Sequence, residues 1–493
     1  MSAATMNQLP PSYPGAFPAP GSGEFNRLSG YSDGLDGLDL LPEYTPGRNS
    51  SSFRAVAARQ PTPKEFYYEV KKKGKAFAVL TIIAEGSYSK HMPTFLEGTP
   101  IKGRVRLSLD KPDAIQSVIV SVQGQVITGA NQGEQLTFVD IQRTVWSQSD
   151  GEPQNTSSDS GDSSPLPPTT ATNITGNGNA PPSPKFTGKL QGDYTWQFSI
   201  DLPKQVVVPF GNRNEPQIFR LPATFNERHT RASVCYNVTL RLNRGKLRTD
   251  HRIPAQIGFI PIGRPAPFSP LRKLAYQEGT PLLGPVIDPE GWHASEPEQI
   301  QISVFGNRTV QIRCTLYLAK PLTYTRGSLI PFCLRLDGHD EQALDLLSSP
   351  KAIVLRLRRR IKAHWNPEKT FESMAWRDAI DHSQLAVWWP SRETPEMRGV
   401  RYVNGELHLK VDANPTSAMA HFRIEYSAVL FPFDSPGIVL DKTEQIIEQP
   451  VEVVTAYAPG PRPRMSAPPG YEDTAVVPQI NAAMTFAHPG GFV

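Results

Sequence analysis

Two short stretches of this 493-residue sequence place prolines before a tyrosine at the same spacing: Pro10-Pro11-Ser12-Tyr13 and Pro468-Pro469-Gly470-Tyr471. A third, Leu41-Pro42-Glu43-Tyr44, lacks the first proline. Their chemistry is recognition rather than reaction. Consecutive prolines preset a polyproline II helix, so the segment loses little entropy on lying across an aromatic groove. The tyrosine then fills a neighbouring pocket, which is how WW domains take PPxY peptides. With 49 Pro and 15 Tyr in the chain, composition alone predicts about 0.15 such motifs. Two full copies are therefore read as WW-domain ligands through Pro10, Pro11, Tyr13 and Pro468, Pro469, Tyr471. Leu41, Pro42 and Tyr44 are a weaker third.

A second group carries charge. Arg356, Arg358, Arg360 and Lys362 fall on one face of an expected strand, with Ile353, Leu355, Leu357 and Ile361 on the other; Arg359 breaks the pattern on the apolar side. The row reads either as a solvated strand face whose charges discourage edge pairing, or as a patch for acidic cargo tails, phosphorylated residues or anionic lipid. Lys71-Lys72-Lys73 is read as a solvated linker. Enzyme signatures are missing from the expected strands: no HExxH, P-loop, CxxC or strand-borne G-x-G-x-x-G, and no G-x-S-x-G elbow, since the match Gly30-Tyr31-Ser32-Asp33-Gly34 falls in the expected tail. His339-Asp340-Glu341 has the residue types of a metal or acid–base cluster, but three consecutive side chains on a turn diverge. Trp388-Trp389-Pro390 is read as core or interface. No enzyme activity, cofactor or metal is expected.

The elements that hold these residues are short strands. Val118-Ile119-Val120-Ser121-Val122, Tyr194 to Ile200 and Val234 to Leu242 alternate apolar with polar residues, the period of a half-buried strand. Helical periodicity is scarce, with Gln342 to Leu347 a candidate for one turn. A Ser/Asp/Asn/Pro run over 148–185 has too few large apolar residues for a core and reads as a disordered insertion. The expected organisation is a disordered tail over 1–72, a β-sandwich over 73–263 carrying that insertion, a linker over 264–298, a second β-sandwich over 299–457 and a disordered tail over 458–493. An internal similarity supports two sandwiches of one kind. Phe95, Gly98, Ile101, Val105 and Leu107 parallel Tyr324, Gly327, Ile330, Leu334 and Leu336, and Val118-Val120-Val122 parallels Ile353-Leu355-Leu357. Net charge is +4, which argues against nucleic acid as a partner. Cys235, Cys314 and Cys333 are too few and too scattered for a disulfide framework. The first residues lack the basic and apolar regions of a signal peptide. The apolar stretch Phe77 to Ala84 is far short of the roughly 20 residues that span a bilayer, so a cytoplasmic protein is expected.

The order of several fragments resembles the arrestin fold. They are Phe95 to Val122, Gly192 to Pro203, Leu221-Pro222-Ala223-Thr224-Phe225 with the Tyr236 to Leu242 strand, and Leu316 to Pro321 followed by Tyr324 to Gly327. Together they cover about residues 75–455. With PPxY motifs in both tails, the chain is similar to the α-arrestins, the arrestin-related trafficking adaptors, of the fungal type. The resemblance implies an all-β fold of two tandem arrestin-like, immunoglobulin-like antiparallel sandwiches. It also implies an adaptor that links cytosolic tails of membrane transporters or receptors to a Nedd4/Rsp5-type HECT ubiquitin ligase with WW domains. Cargo would then be ubiquitinated and endocytosed, and the adaptor recruited peripherally to plasma membrane or endosomes. The long insertion departs from the family pattern, and no clear equivalent of the buried charged core of visual and β-arrestins is visible. The alternative is a cargo-sorting adaptor of the same fold that works without ubiquitin, like the arrestin-fold subunit of retromer.

Overall fold

Alternation is written most plainly into Ser233–Asn243, where Val234, Tyr236, Val238, Leu240 and Leu242 are buried and the residues between them reach solvent. Such a stretch closes one face of a sheet over a core. The computed structural model describes residues 63–72, 74–85, 91–129, 131, 134–153, 185–211, 213–228, 230–245, 248–364, 376–391, 397–441 and 444–469. Among these the protein is all-β, with antiparallel sheets stacked as sandwiches.

The first half contains β1 (Lys64–Lys72), β2 (Lys75–Ala84), β3 (Thr94–Leu96), β4 (Ile101–Asp113), β5 (Ser117–Ile127) and β6 (Gln135–Ser147). It continues with β7 (Leu190–Ile200), β8 (Gln205–Phe210), β9 (Glu215–Arg220), β10 (Phe225–Asn226), β11 (Ser233–Asn243) and β12 (His251–Ile260). One sheet runs β1-β2-β4-β7; the other runs β3-β12-β11-β5-β6, with β10 also on β11. Aromatic contacts join the two sheets: Phe77 of β2 lies edge-on to His251 of β12 at 5.0 Å, and Trp146 of β6 stacks on Trp196 of β7 at 6.2 Å. The hairpin β8–β9 stands apart as its own two-stranded ribbon.

A helix, α1 (Pro270–Glu278), leads into the second half. There follow β13 (Trp292–Ala294), β14 (Glu298–Val304), β15 (Arg308–Ala319), β16 (Thr323–Thr325), β17 (Leu329–Gly338), α2 (Glu341–Leu347) and β18 (Leu355–His364). The chain then forms β19 (Trp376–Leu385), β20 (Val387–Pro390), β21 (Val400–His408), β22 (Ser417–Met419), β23 (Phe422–Leu430), β24 (Ile438–Leu440) and β25 (Ile447–Val454). Its sheets run β20-β21-β17-β15-β14-β24 and β16-β25-β23-β18-β19, with β13 on β15 and β22 on β23.

The second strand order repeats the first. Each half has a three-residue strand lying parallel to its last strand, β3 on β12 and β16 on β25. Phe95 sits opposite Phe259, and Tyr324 opposite Val453. Just beyond, Gly98 and Gly327 hold φ of 83° and 76°, a turn conformation that favours glycine. Tyr236 pairs with Gly124 across β11–β5, and Tyr426 with Arg359 across β23–β18. These registers set Val122 against Leu357 and Phe95 against Tyr324, the same correspondence that the sequence similarity proposes.

Several boundaries differ from the sequence expectation. Strand β1 lies inside the segment expected to be a tail. Lysines and glutamates hide its alternation, yet Phe66 is buried and Tyr68 and Val70 half-buried, and the whole strand pairs with β2. The expected linker contains α1, capped by the Ser269 hydroxyl and ended by Gly279 in the left-handed region. The described chain also runs to Pro469, well past the expected tail start at 458, and Ala458 is buried against Phe268 and Tyr276. Of the insertion, 148–150 form a 3₁₀ turn, and 154–184 lie outside the described residues.

Candidate functional site

The basic row lies on β18, whose strand alternation turns Leu355, Leu357 and Ile361 into the core. Neighbouring strands bring a carboxylate to three of the four cations. Arg358 meets Glu448 at 2.8 Å, Arg360 meets Asp378 at 3.5 Å, and Lys362 meets Glu425 at 3.0 Å. Arg356 donates instead to the His382 carbonyl at 3.1 Å. Three of the four charges of the row are thus balanced within its own sheet, which weakens its field on any anion outside. Burial of His382 is the main reason its pKa is lowered, and the Arg358 charge adds to it.

Arg359, the residue out of pattern, is the one that leaves the sheet. Its position pairs with buried Tyr426, so it faces inward at the end of the sandwich, where the first half lies across it. The guanidinium donates through both Nη atoms to the two oxygens of Glu227, at 2.6 and 3.0 Å. Asp381 stands 3.7 Å away, and Asn414 Nδ2 donates to the same Glu227 at 2.9 Å. Burial works against the charge on Arg359, but the Glu227 carboxylate, helped by Tyr426 and Asp381, outweighs it, so the guanidinium is held above its usual range. A bidentate pair of this kind fixes orientation as well as distance.

Around this pair the two halves meet through rings. Phe225 and Phe422 lie 4.9 Å apart, and Phe210 from the β8–β9 ribbon is edge-on to His421 at 5.4 Å. Arg423 lies over the Phe210 ring at 5.7 Å. On the other side of the seam the chain crosses directly. The Thr455 hydroxyl donates to the Pro261 carbonyl at 2.6 Å and accepts from the Gly263 amide at 3.0 Å, while Ala456 N donates to Gly263 O at 2.9 Å. The sequence carries no local signal for this seam.

The proline–tyrosine motifs are placed only in part. Pro10, Pro11, Tyr13, Leu41, Pro42, Tyr44 and Tyr471 lie outside the described residues. Pro468 is half-buried and Pro469 exposed, at the end of an extension that runs over the second sandwich from 455 to 469. Bonds to Thr325 and Glu406 hold the extension to the sandwich, and a ring contact stiffens it from within. Ala456 O accepts from the Thr325 hydroxyl at 3.0 Å; the Arg462 guanidinium lies over the Tyr457 ring at 4.8 Å; and Ser466 N donates to Glu406 Oε2 at 2.9 Å. Glu406 is 1 % exposed, and its other oxygen meets His408 Nε2 at 2.8 Å.

The remaining candidates have structural roles. Asp340 caps α2 through Ala343 N and pairs with Arg308, whereas Glu341 turns away to Gly399 N and Arg401. Trp388 is buried over Gly405 and 6.0 Å from Phe332. Among the described residues no group of three or more His, Cys, Asp or Glu could hold a metal ion. None of their helices is long and apolar enough to cross a membrane. No protein-family model matches the chain, and no curated protein matches it either.

Proposed function

We propose that this chain is an α-arrestin-type adaptor. It joins the cytosolic tails of membrane transporters or receptors to a HECT ubiquitin ligase of the Nedd4/Rsp5 type, working from the cytoplasm at plasma membrane or endosomes. The observation that carries the reading is the pair of full PPxY motifs on either side of a duplicated β-sandwich. The sandwiches provide a rigid body for cargo, and the motifs tether the ligase beside it. Tethering makes ubiquitin transfer quasi-intramolecular, and two motifs on a ligase with several WW domains add avidity. Three of the four cations of the β18 row already have carboxylates of their own, so cargo binding is not assigned to them.

The test is calorimetric titration of the full chain with a tandem WW fragment. Tyr13→Ala with Tyr471→Ala removes most of the binding, at least tenfold, since affinity concentrates in the anchoring rings. Either change alone costs less, and changing Tyr44 costs least. Undiminished binding by the double variant would overturn the ligase reading in favour of a sorting adaptor that works without ubiquitin.

A further inference from the structure

The last anchor of the C-terminal extension and the first proline of its motif are only two residues apart. Ser466 gives its amide to Glu406, Ala467 follows, and Pro468 begins Pro468-Pro469-Gly470-Tyr471. Two residues span at most about 7 Å. Even a domain of about 40 residues has a radius of gyration near 9 Å. Pro468 is half-buried, so a WW domain cannot close on both Pro468 and Pro469 without lifting Pro468 from its cover, two residues from the Ser466–Glu406 bond.

The seat is built rather than incidental. Glu406 is a carboxylate with 1 % of its surface exposed, on β21 of the second sandwich. A buried carboxylate is costly unless its oxygens are bonded. One oxygen meets His408, and the other accepts from the Ser466 amide. The extension also closes over the helix between the sandwiches. Ala458 is buried against Phe268 and Tyr276, and Arg464 reaches the left-handed Gly279 that ends α1.

We infer that residues 456–469 form a latch, and that docking of Ser466 on Glu406 and capture of the adjacent PPxY motif by a WW domain exclude one another. The inference rests on the WW-ligand reading of that motif. In its closed state the latch lowers the apparent affinity of the motif by the fraction of time it is open. The two PPxY copies then differ in kind, since the latch governs only the C-terminal one.

The experiment compares one WW domain on two forms of the same motif: the full chain carrying Tyr13→Ala and Tyr44→Ala, and a free peptide spanning residues 460–475. The expected result is binding about tenfold weaker in the full chain than in the peptide. Ser466→Pro deletes the amide donor, and Glu406→Gln removes the charge while keeping the shape. Each brings the full chain toward the affinity of the peptide carrying the same residue 466. Equal affinity of wild-type chain and peptide overturns the latch. Hydrogen exchange reads the seat without any ligase: the Ser466 amide is protected in the wild type and exchanges faster in Glu406→Gln. An unprotected Ser466 amide overturns the latch, whatever the WW domain does. A peptide that fails to bind the WW domain refutes the ligase reading instead, and the exchange result still decides whether the seat is occupied.

Discussion

Opposite the buried tyrosine of its inner strand, the first sandwich has Gly124 and the second has Arg359. In the first, the rings of Phe138 and Tyr236 close over the glycine; a Cβ there would stand 2.6 Å from Phe138 and 3.0 Å from Tyr236. In the second, the same place sends a guanidinium across to Glu227. The frame around the difference is unchanged. Tyr236 donates to the Pro222 carbonyl at 2.8 Å and Tyr426 to the Asn414 carbonyl at 2.7 Å. Thr224 accepts from Phe259 N, and Thr416 from Val453 N, both at 2.8 Å. One scaffold is thus used twice, with its backbone partners kept and the residues at the facing ends changed. Registers make Ser417 the counterpart of Phe225 and Ala232 the counterpart of Phe422. The seam therefore joins non-equivalent surfaces, and neither half carries the other's contact residues at the equivalent place.

The largest break in this asymmetry is Phe422→Ala. The ring is fully buried and touches Phe225 across the seam, whereas the equivalent place in the first sandwich already holds alanine. Removing it leaves a cavity in a core that cannot collapse from one side, at a cost of about 3–5 kcal/mol. Urea unfolding should show a lower midpoint. A loss below about 1 kcal/mol would mean that the ring is not packed as described.

A smaller effect separates the halves by pH. His421 lies in the seam, with Nδ1 buried and lacking a hydrogen-bond partner among the described residues. Burial is the main cause that lowers its pKa to about 4, and the neighbouring His364 adds to it. A lowered histidine pKa means the unfolded chain binds the proton first. Stability is therefore full above the unfolded value of about 6.5 and falls as pH drops toward 4, by about 2 kcal/mol between pH 7 and pH 4.5. Thermal unfolding over that range should be flatter for His421→Phe than for wild type. Equal slopes would remove His421 as the source.

Much of the frame is legible in the sequence because period-2 alternation and turn glycines are local signals. Phe95 with Gly98, and Tyr324 with Gly327, carry the duplication in the sequence itself. Strand β1 is hidden because its partner β2, not its own composition, makes it a strand. Helix α1 has readable ends in Ser269-Pro270 and Gly279, but proline on both sides resembles a linker. The seam and the latch are beyond local reading: Glu227 and Arg359 are 132 residues apart, and Glu406 and Ser466 are 60. Arg359 is visible in the sequence only as a break in alternation, and such a break carries no address for its partner. The proline–tyrosine motifs are the reverse case, plain in sequence because each is a run of four consecutive residues.

The smallest expected effect is also the most direct measure of how the two sandwiches differ. Arg359 and Glu227 each keep about a fifth of the side chain exposed, so solvent screens the pair and its coupling is well below that of a fully buried one. Bidentate geometry and the Asn414 bond on the same carboxylate lift it above an ordinary surface pair. A double-mutant cycle of Arg359→Met and Glu227→Gln should give a coupling of about 1 kcal/mol, read from urea midpoints at low salt. Raising the salt should reduce it only in part, since the pair is partly shielded from ions. The exposed pair Lys75–Asp110, on the first sandwich alone, serves as the control, with a coupling near zero. If both cycles give the same value, Arg359 is a solvated strand charge like its neighbours on β18. The seam would then depend on Phe225, Phe422 and the Thr455 crossing alone.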